Sequence, residues 1–178
     1  LTSSTSIVTI IVSPINDAPV LSSIEDQSIN EDNDLVISLS ASDVDGDGLT
    51  YSASVDGNST ASIDGNILTV SPDADYNGSI VLDILVTDGD LTDSLSFTLV
   101  VNPVNDAPIL SVIDDQSIDE DSDLTLQLLA TDIDTEDLTY SASIDGNGSV
   151  SIVADVLTVT PNLNYNGDIE VSVTVSDG

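Results

Sequence analysis

The sequence predicts an all-β protein built from tandem antiparallel β-sandwich domains, and three observations support this fold class. First, the chain repeats itself: residues 14–19 (PINDAP) recur without a gap as residues 103–108 (PVNDAP), and about half of the aligned positions are identical. Second, apolar and polar residues alternate at period 2, which is typical of half-buried strands. Third, Asp-Gly and Asn-Gly pairs, which favour tight turns, separate the alternating runs.

The alternating runs follow one another in a regular order within each repeat. In the first copy they cover residues 35–41, 49–53, 68–70, 80–86 and 95–101, and residues 124–130 repeat the first of them. Turn pairs lie between them, at residues 45–48, 56–57, 64–65 and 77–78. About seven short strands per repeat indicate an immunoglobulin-like sandwich. Tyr76 and Tyr165 precede the penultimate strand, where such sandwiches often have a structural tyrosine corner.

The phase of the repeat predicts three segments. Residues 1–13 align with residues 90–102, so we interpret them as the last strand of a preceding repeat, or as a donor strand for another copy. Residues 14–102 form one whole domain. Residues 103–178 form a second domain that lacks its last strand. This phase predicts that the chain is part of a longer tandem array of repeats.

The composition excludes most site chemistry. The chain has 33 Asp and Glu residues and no Lys, Arg, His, Cys, Met or Trp, for a net charge of −33. Without imidazole, thiol, amine or guanidinium groups, the usual nucleophiles, bases and phosphate clamps are missing. The charge also argues against nucleic acid or an anionic membrane as a partner, and no apolar run is long enough for membrane insertion. An apolar content of 40% nevertheless indicates a folded core.

The acidic residues recur at equivalent loop positions, which solubilising charge alone does not explain. The recurrent groups are Asn16-Asp17 with Asn105-Asp106, Glu31-Asp32 with Glu120-Asp121, Asp43-x-Asp45-x-Asp47 with Asp132-x-Asp134-x-Glu136, and Asp88 with Asp177. Two like charges 4 Å apart repel by about 4 kcal/mol at a surface-like dielectric, so bound cations are the expected compensation. Oxygen ligands without His or Cys favour Ca²⁺. An EF-hand is excluded, because the twelfth loop position is Ser54 where a bidentate Glu is required.

Five motifs together resemble bacterial cadherin-like tandem repeats, the extender repeats of giant secreted RTX-type surface adhesins. They are VNDAP (104–108), the ED pairs (31–32 and 120–121), DVDGDGLTY (43–51), DYNG (75–78) and VTDG (86–89). The resemblance implies calcium at the junctions between consecutive domains. For the complete junction it implies ligands from both sides: Glu31, Asp73, Asp75, Asn105, Asp106, Asp132, Asp134 and Asp177. The equivalent ligands of the flanking junctions are Asn16, Asp17, Asp43, Asp45, Asp88 and Glu120. The LDRE motif of cadherins is absent, and Asp73-Ala74-Asp75 stands near its place.

The leading hypothesis is a structural one, in which the repeats are non-enzymatic extender modules of an extracellular stalk or fibre at the bacterial cell surface. Calcium at the junctions would stiffen the array, and the partners would be neighbouring repeats of the same chain or filament. Two alternatives remain open. The chain is a filament subunit assembled by donor-strand complementation, or it is a module that adheres to another cell or to carbohydrate.

Overall fold

The computed structural model describes residues 6–135 and 137–178 and confirms the all-β fold class. Sixteen strands and no helix lie in this part of the chain. It follows that no helix among the described residues is long and apolar enough to cross a membrane. The strands form two compact units, which divide between Val104 and Asn105.

The first unit is a sandwich of two main sheets. Its strands are β1 (Val20–Leu21), β2 (Gln27–Asn30), β3 (Leu35–Ser38), β4 (Ala41–Ser42), β5 (Thr50–Val55), β6 (Ser59–Asp64), β7 (Ile67–Pro72), β8 (Gly78–Thr87) and β9 (Thr92–Asn102). One sheet has the order β2-β9-β8-β5, the other has the order β3-β7-β6, and β1 pairs with β4. The described pairs are antiparallel, as the sequence predicts, except that β2 runs parallel to β9, with Gln27 opposite Leu99.

The core of the first unit is made by strand residues that alternate in and out. Every second residue of β8, from Ile80 to Val86, has 0% of its surface exposed. On β9, Phe97, Leu99 and Val101 are buried to a similar degree. Because successive side chains of a strand point to opposite faces, the period-2 pattern of the sequence becomes one apolar face of the β8–β9 pair. Burial of each such side chain is worth about 1.5–3 kcal/mol.

The second unit repeats this arrangement with fewer strands. They are β10 (Ile109–Leu110), β11 (Leu124–Gln127), β12 (Ala130–Thr131), β13 (Thr139–Ile144), β14 (Gly148–Val153), β15 (Val156–Pro161) and β16 (Val171–Ser176). One sheet has the order β11-β15-β14, while β13 pairs with β16 and β10 with β12. Within the described chain, the fully buried apolar residues of this unit are Leu128, Leu157 and Val159.

The segment before β1 is exposed as far as residue 18. Residues 6–19 contain no strand, Ile10 is 81% exposed, and Pro19 is buried. Residues 1–5, which belong to the predicted strand 1–13, lie outside the described residues. The predicted boundaries 1–13, 14–102 and 103–178 therefore stay predictions.

Both units contain the predicted tyrosine. The hydroxyl of Tyr76 donates to the carbonyl oxygen of Ser79 at 3.1 Å, and that of Tyr165 donates to Asp168 at 2.9 Å. In each unit the tyrosine ring lies against the glycine two residues later in the chain. A Cβ on Gly78 would lie 2.7 Å from the Tyr76 hydroxyl, and Gly78 has a φ of 144°. These tyrosines have a structural role, since each fixes the turn into the strand that follows it.

Candidate metal centre

A loop of aspartates follows β4 in the first unit. Asp43 directs one carboxylate oxygen, Oδ1, at the backbone of its own loop, where it accepts N–H groups from Asp45 at 2.8 Å and Gly46 at 3.0 Å. The positive φ of Gly46 (81°) lets the chain turn tightly around this oxygen. Carboxylate oxygens of Asp43, Asp45 and Asp47 come within 4.8 Å of one another. The loop therefore concentrates negative charge at one point.

The other oxygen of Asp43 is the unusual one. Its Oδ2 is buried and has no hydrogen-bond partner among residues 6–135 and 137–178. A buried anionic oxygen without a partner is costly, typically by several kcal/mol. The backbone bonds to Oδ1 hold the carboxylate in this orientation, so the side chain cannot turn to relieve that cost.

The second unit builds the same loop from a different sequence. Asp132 Oδ1 accepts N–H groups from Asp134 at 2.8 Å and from Thr135 at 2.9 Å, although Thr135 stands where the first unit has glycine. Asp132 Oδ2 is again buried, and no described residue hydrogen-bonds to it. Glu136, the third acid of the pattern, lies outside the described residues. The orphaned oxygen is therefore a property of both repeats.

The segment that enters each unit is bonded to this loop. In the first unit the backbone N–H of Asp17 donates to Asp45 Oδ2 at 2.9 Å, and in the second the N–H of Asp106 donates to Asp134 Oδ2 at 2.6 Å. The side-chain amide of the preceding asparagine donates to the aspartate that follows the penultimate strand. These pairs are Asn16 with Asp88 (3.0 Å) and Asn105 with Asp177. The structure thus brings together the entry residues and loop aspartates that the sequence singles out.

Asp88 remains an anion in this arrangement. The backbone N–H groups of Leu91 and Asp90, each 2.7 Å from its Oδ1, hold the pKa of the Asp88 carboxyl below its ordinary value, and the Asn16 amide adds to the effect. These donors bind the charged form and so favour it. At neutral pH the residue therefore offers carboxylate oxygen.

A second group of acids lies where the first unit ends. Glu31, on the turn after β2, is only 3% exposed and is the one buried charged residue in the described chain. Its Oε1 accepts the backbone N–H of Val104, and its own N–H donates to the Asn102 carbonyl at 2.9 Å. Asn77 contributes a longer bond of 3.4 Å to Oε2. Glu31 is therefore fixed by the last strand of its unit and by the residues that leave it.

Two further acids stand beside each other on the first unit. Asp32 Oδ1 accepts the backbone N–H of Asp75 at 3.2 Å, and both residues have the left-handed backbone that non-glycine residues rarely adopt, with φ of 60° and 57°. The sequence singles out Asp75 as a ligand but leaves Asp32 out of the predicted set. The signal that could have revealed it is its recurrence as Asp121, which accepts the N–H of Asn164 at 2.7 Å.

Two of the predicted ligands, Asp73 and Glu120, are less well placed to bind a metal ion. Asp73 is exposed, and its backbone forms the hydrogen bonds of this turn: its N–H donates to the Asn58 carbonyl, and its carbonyl accepts the Tyr76 N–H. Glu120, the counterpart of Glu31, is exposed as well. Its environment differs because the second unit has no residues equivalent to Asn102 and Val104 in this chain.

The donor set fits a hard divalent cation. It consists of carboxylate and side-chain amide oxygens, and in Asp43 and Asp132 one carboxylate oxygen is buried without a hydrogen-bond partner among the described residues. The chain supplies no Lys, Arg or His to balance these charges. Calcium accepts six to eight oxygen ligands in flexible geometry, whereas Mg²⁺ requires a near-ideal octahedron.

Comparison with known proteins identifies the repeats. A family model described as a bacterial Ig domain matches the chain twice, over residues 16–100 and 105–178. Chitinase A of Pseudoalteromonas piscicida is 30% identical over 150 residues, which cover 80% of this chain. The chain spans only 18% of the length of that relative.

Solved structures support the fold. Human protocadherin-24 EC1-2 (form II) matches with a TM-score of 0.55 and 19% identity, covering 90% of this chain and 93% of that one. Drosophila N-cadherin EC1-4 matches with a TM-score of 0.53 and 19% identity, covering 90% of this chain and 48% of that one. The predicted immunoglobulin-like, cadherin-like β-sandwich is therefore confirmed.

Proposed function

The chain belongs to the bacterial Ig domain family, and from that premise we propose that its repeats are calcium-binding structural modules of an extracellular adhesin stalk or fibre. In this proposal calcium at the junctions between repeats stiffens the array. The repeats act as extenders that hold other parts of a longer protein away from the bacterial surface.

The observation that carries the proposal is the buried oxygen found in both units. Asp43 Oδ2 and Asp132 Oδ2 are each buried without a hydrogen-bond partner among the described residues, while Oδ1 of the same carboxylate is held by the loop backbone. A cation supplies the missing interaction and offsets the cost of burying the charge. The same geometry arises twice from sequences that differ at the glycine, which argues for a common ligand.

Three sets of residues would hold calcium in this chain. The entry set of the first unit is Asn16, Asp17, Asp43, Asp45 and Asp88, and that of the second unit is Asn105, Asp106, Asp132, Asp134 and Asp177. The exit set of the first unit contains Glu31, Asp32 and Asp75, with Asp73 nearby in sequence. When bound, calcium neutralises carboxylates that otherwise repel one another.

The order of anchors along the chain supports a junction role. Val104 is bonded to Glu31, whereas the next two residues, Asn105 and Asp106, are bonded to Asp177 and Asp134. The exit of one repeat and the entry of the next are therefore consecutive residues. Calcium held by both sets would restrict rotation at this linker. Extracellular calcium is millimolar, which is sufficient for sites with a Kd of about 10⁻⁴–10⁻³ M.

Calcium titration by calorimetry tests the binding sites. We expect saturable binding to the 178-residue chain, and a loss of affinity of about tenfold or more when Asp43→Asn and Asp132→Asn are combined, because each removes a ligand charge. Asn keeps an Oδ1 that can accept the loop N–H groups. The matched control combines Asp64→Asn and Asp115→Asn, which removes two charges at exposed residues outside the clusters. Equal losses in control and double variant would mean that only the overall charge attracts calcium.

Small-angle X-ray scattering tests the stiffening. We expect the scattering of the chain to change on adding calcium, with a narrower distribution of maximum dimensions, and to revert in chelator. The double variant should require about ten times more calcium for the same change. If calcium binds in calorimetry but leaves the scattering unchanged, the metal site is supported and the stiffening role is refuted.

The same premise leads us to propose that the repeats are non-catalytic. The similarity to a chitinase covers a small part of that enzyme, and the composition lacks the usual catalytic side chains. A hydrolysis assay of the chain on chitin should show no activity above buffer.

A further inference from the structure

Three asparagines of this chain are followed directly by glycine, at residues 77–78, 147–148 and 166–167. Asparagine is thermolabile, because the backbone nitrogen of the next residue can attack its side-chain amide carbon. Glycine in that position leaves the attack unhindered, since it has no Cβ. The first two pairs continue with serine and the third with aspartate. Residues 77 and 147 therefore form a matched comparison.

The glycine of the second pair does not use its N–H in the sheet. Gly148 is the first residue of β14 and lies opposite Pro161 of β15. The N–H of Asn162 donates to the carbonyl of Asn147 at 2.9 Å, which makes Gly148 and Pro161 a non-hydrogen-bonded pair of the antiparallel ladder. The N–H of Gly148 therefore points away from β15, to the edge of the sheet, where no described strand pairs with β14.

This edge is a property of the repeat. In the first unit β6 has the same place at the end of the β3-β7-β6 sheet, and Asn58 has the position of Asn147. Both asparagines are exposed and have left-handed φ, of 53° and 59°. The Asn58 carbonyl likewise accepts a backbone N–H, from Asp73 at 2.9 Å. The two turns differ in the residue that follows, which is Ser59 in the first unit and Gly148 in the second.

The glycine of the first Asn-Gly pair is bonded differently. Gly78 is the first residue of β8 and lies opposite Val101 of β9. The N–H of Val81 points away from β9 and donates to Asp56 at 3.1 Å. Because the N–H groups of a strand alternate in direction, that of Gly78, three residues earlier, points towards Val101 and enters the ladder. An N–H held in a ladder reacts only when the strand opens locally.

We propose that Asn147 and Gly148 form a site of spontaneous deamidation in the second repeat. Hydroxide removes the proton of the Gly148 nitrogen, which then attacks Cγ of Asn147. The new C–N bond closes a cyclic imide, and the bond from Cγ to the side-chain nitrogen breaks, so that ammonia leaves with a proton from water. Water then opens the imide at either of its carbonyl carbons, which yields aspartate or isoaspartate at position 147. The net change consumes water, releases ammonia and requires no oxidant or reductant.

Isoaspartate adds a methylene group to the main chain at this turn. The carbonyl of Asn147 holds the Asn162 N–H, and the Asn162 carbonyl in turn accepts the Tyr165 N–H at 2.9 Å. A longer main chain displaces the first of these bonds and the pairing of Gly148 with Pro161. We therefore expect β14 to loosen as the protein ages, while β6 of the first unit stays intact.

Incubation of the folded 178-residue chain at mildly alkaline pH, followed by mass spectrometry of its peptides, tests the proposal. We expect aspartate and isoaspartate to accumulate at Asn147 at least about tenfold faster than at Asn77, whose glycine is held in the ladder. In denaturant the two rates should converge, because both pairs lie in the sequence Asn-Gly-Ser. Equal rates in the folded chain would overturn the proposal, and so would a difference that persists in denaturant.

A substitution in the first unit tests the role of the glycine. Ser59→Gly gives this turn the Asn-Gly pair of the second unit and should speed deamidation at Asn58 by about tenfold or more. The control is Ser59→Ala, which also removes the hydroxyl but keeps Cβ and should leave the rate nearly unchanged. Equal rates in the two variants would refute the proposal. Aspartate without isoaspartate at position 147 would also refute it, because direct hydrolysis forms no cyclic imide.

Hydrogen exchange on the aged chain measures the structural consequence. We expect the amide of Asn162 to exchange faster in chains that carry isoaspartate, because its acceptor has moved. The amide of Asp73, which has the equivalent bond in the first unit, is the control and should not change. Unchanged exchange at Asn162 in the modified chains would contradict the loosening of β14.

Discussion

The two units share about half of their residues, yet their packing differs greatly. In the first, twelve apolar residues are buried in one cluster, whereas three form the corresponding cluster of the second. β8 has ten residues and its counterpart β16 has six, while β2 has no counterpart strand among the described residues. Glu31 is buried and Glu120 is exposed. The described second unit has no strand at the place of β9, which in the first unit pairs with both β8 and β2.

The largest expected effect comes from truncating two equivalent isoleucines to alanine, one in each unit. Ile80→Ala should destabilise the first unit by about 2–5 kcal/mol, because it leaves a cavity in a closed core. Ile169→Ala should cost the second unit about 1 kcal/mol or less, since Ile169 is only half-buried in the described chain. Hydrogen exchange resolves the stability of each unit separately.

A buried pair provides the control for this comparison. Leu68 and Leu157 are equivalent, and both are almost fully buried. Leu68→Ala and Leu157→Ala should therefore cost similar amounts in their own units. If Ile80→Ala and Ile169→Ala were also equal, β9 would not be the cause of the difference between the cores.

Calcium removal should affect both units, because each has the same entry loop. With free calcium at about ten to a hundred times Kd, binding to the folded state adds about 1.4–2.7 kcal/mol. We expect chelator to lower the melting temperature of both units by several degrees in differential scanning calorimetry. The combined Asp43→Asn and Asp132→Asn variant should show a smaller difference in melting temperature between calcium and chelator, because its calcium affinity is lower. A response confined to one unit would show that the two loops are not equivalent sites.

The sequence predicted the features that depend on local pattern. Period-2 alternation located the strands, and Asp-Gly and Asn-Gly pairs located the turns, because each is decided by a few neighbouring residues. Asp43, Asp45, Asn16 and Asp88 could be selected together because they recur at fixed positions. The sandwich topology is then sufficient to predict that these residues lie together in the structure.

The features that the sequence did not predict depend on distant pairing. The parallel register of β2 with β9 joins residues that are 72 apart, from Gln27 to Leu99, and nothing in the local pattern of β2 specifies its direction. The burial of Glu31 likewise depends on Val104 and Asn102. Residues 116–119 have nearly the sequence of β2 but remain outside any strand, because strand formation there requires a partner.

The contrast between Glu31 and Glu120 can be sharpened by changing both. Glu31→Gln should lower calcium affinity by about tenfold, since it removes the charge of a fixed, buried carboxylate. Glu120→Gln should have little effect, because that side chain is exposed in the described chain. Calorimetric titration of the two variants measures both. In chelator, Glu31→Gln should not destabilise the first unit, because it removes a buried charge while its amide oxygen can still accept the Val104 N–H.

A lengthened variant, in which a copy of residues 90–102 is appended after Gly178, should reverse this contrast. The added residues supply the counterpart of Asn102, which in the first unit accepts the Glu31 N–H. Extension by two further residues would supply the counterpart of Val104. If Glu120→Gln then lowered calcium affinity in the longer variant alone, the last strand and its exit would be established as the source of the difference between the two glutamates. An unchanged affinity would locate that source elsewhere in the second unit.

The smallest expected difference lies at the tyrosine turns, where the two units agree. Gly78 and Gly167 both have left-handed φ, and a Cβ would lie 2.7 Å and 3.0 Å from the hydroxyls of Tyr76 and Tyr165. Gly78→Ala and Gly167→Ala should each destabilise their unit by about 1–3 kcal/mol, because of backbone strain and the displaced ring. Gly48→Ala is the control, since its Cβ meets nothing within 4 Å and its φ is not positive. Gly78 is the first residue of β8 and lies opposite Val101 of β9, whereas Gly167 precedes β16. Unequal costs at the two glycines would therefore measure how much this strand pairing contributes at the turn.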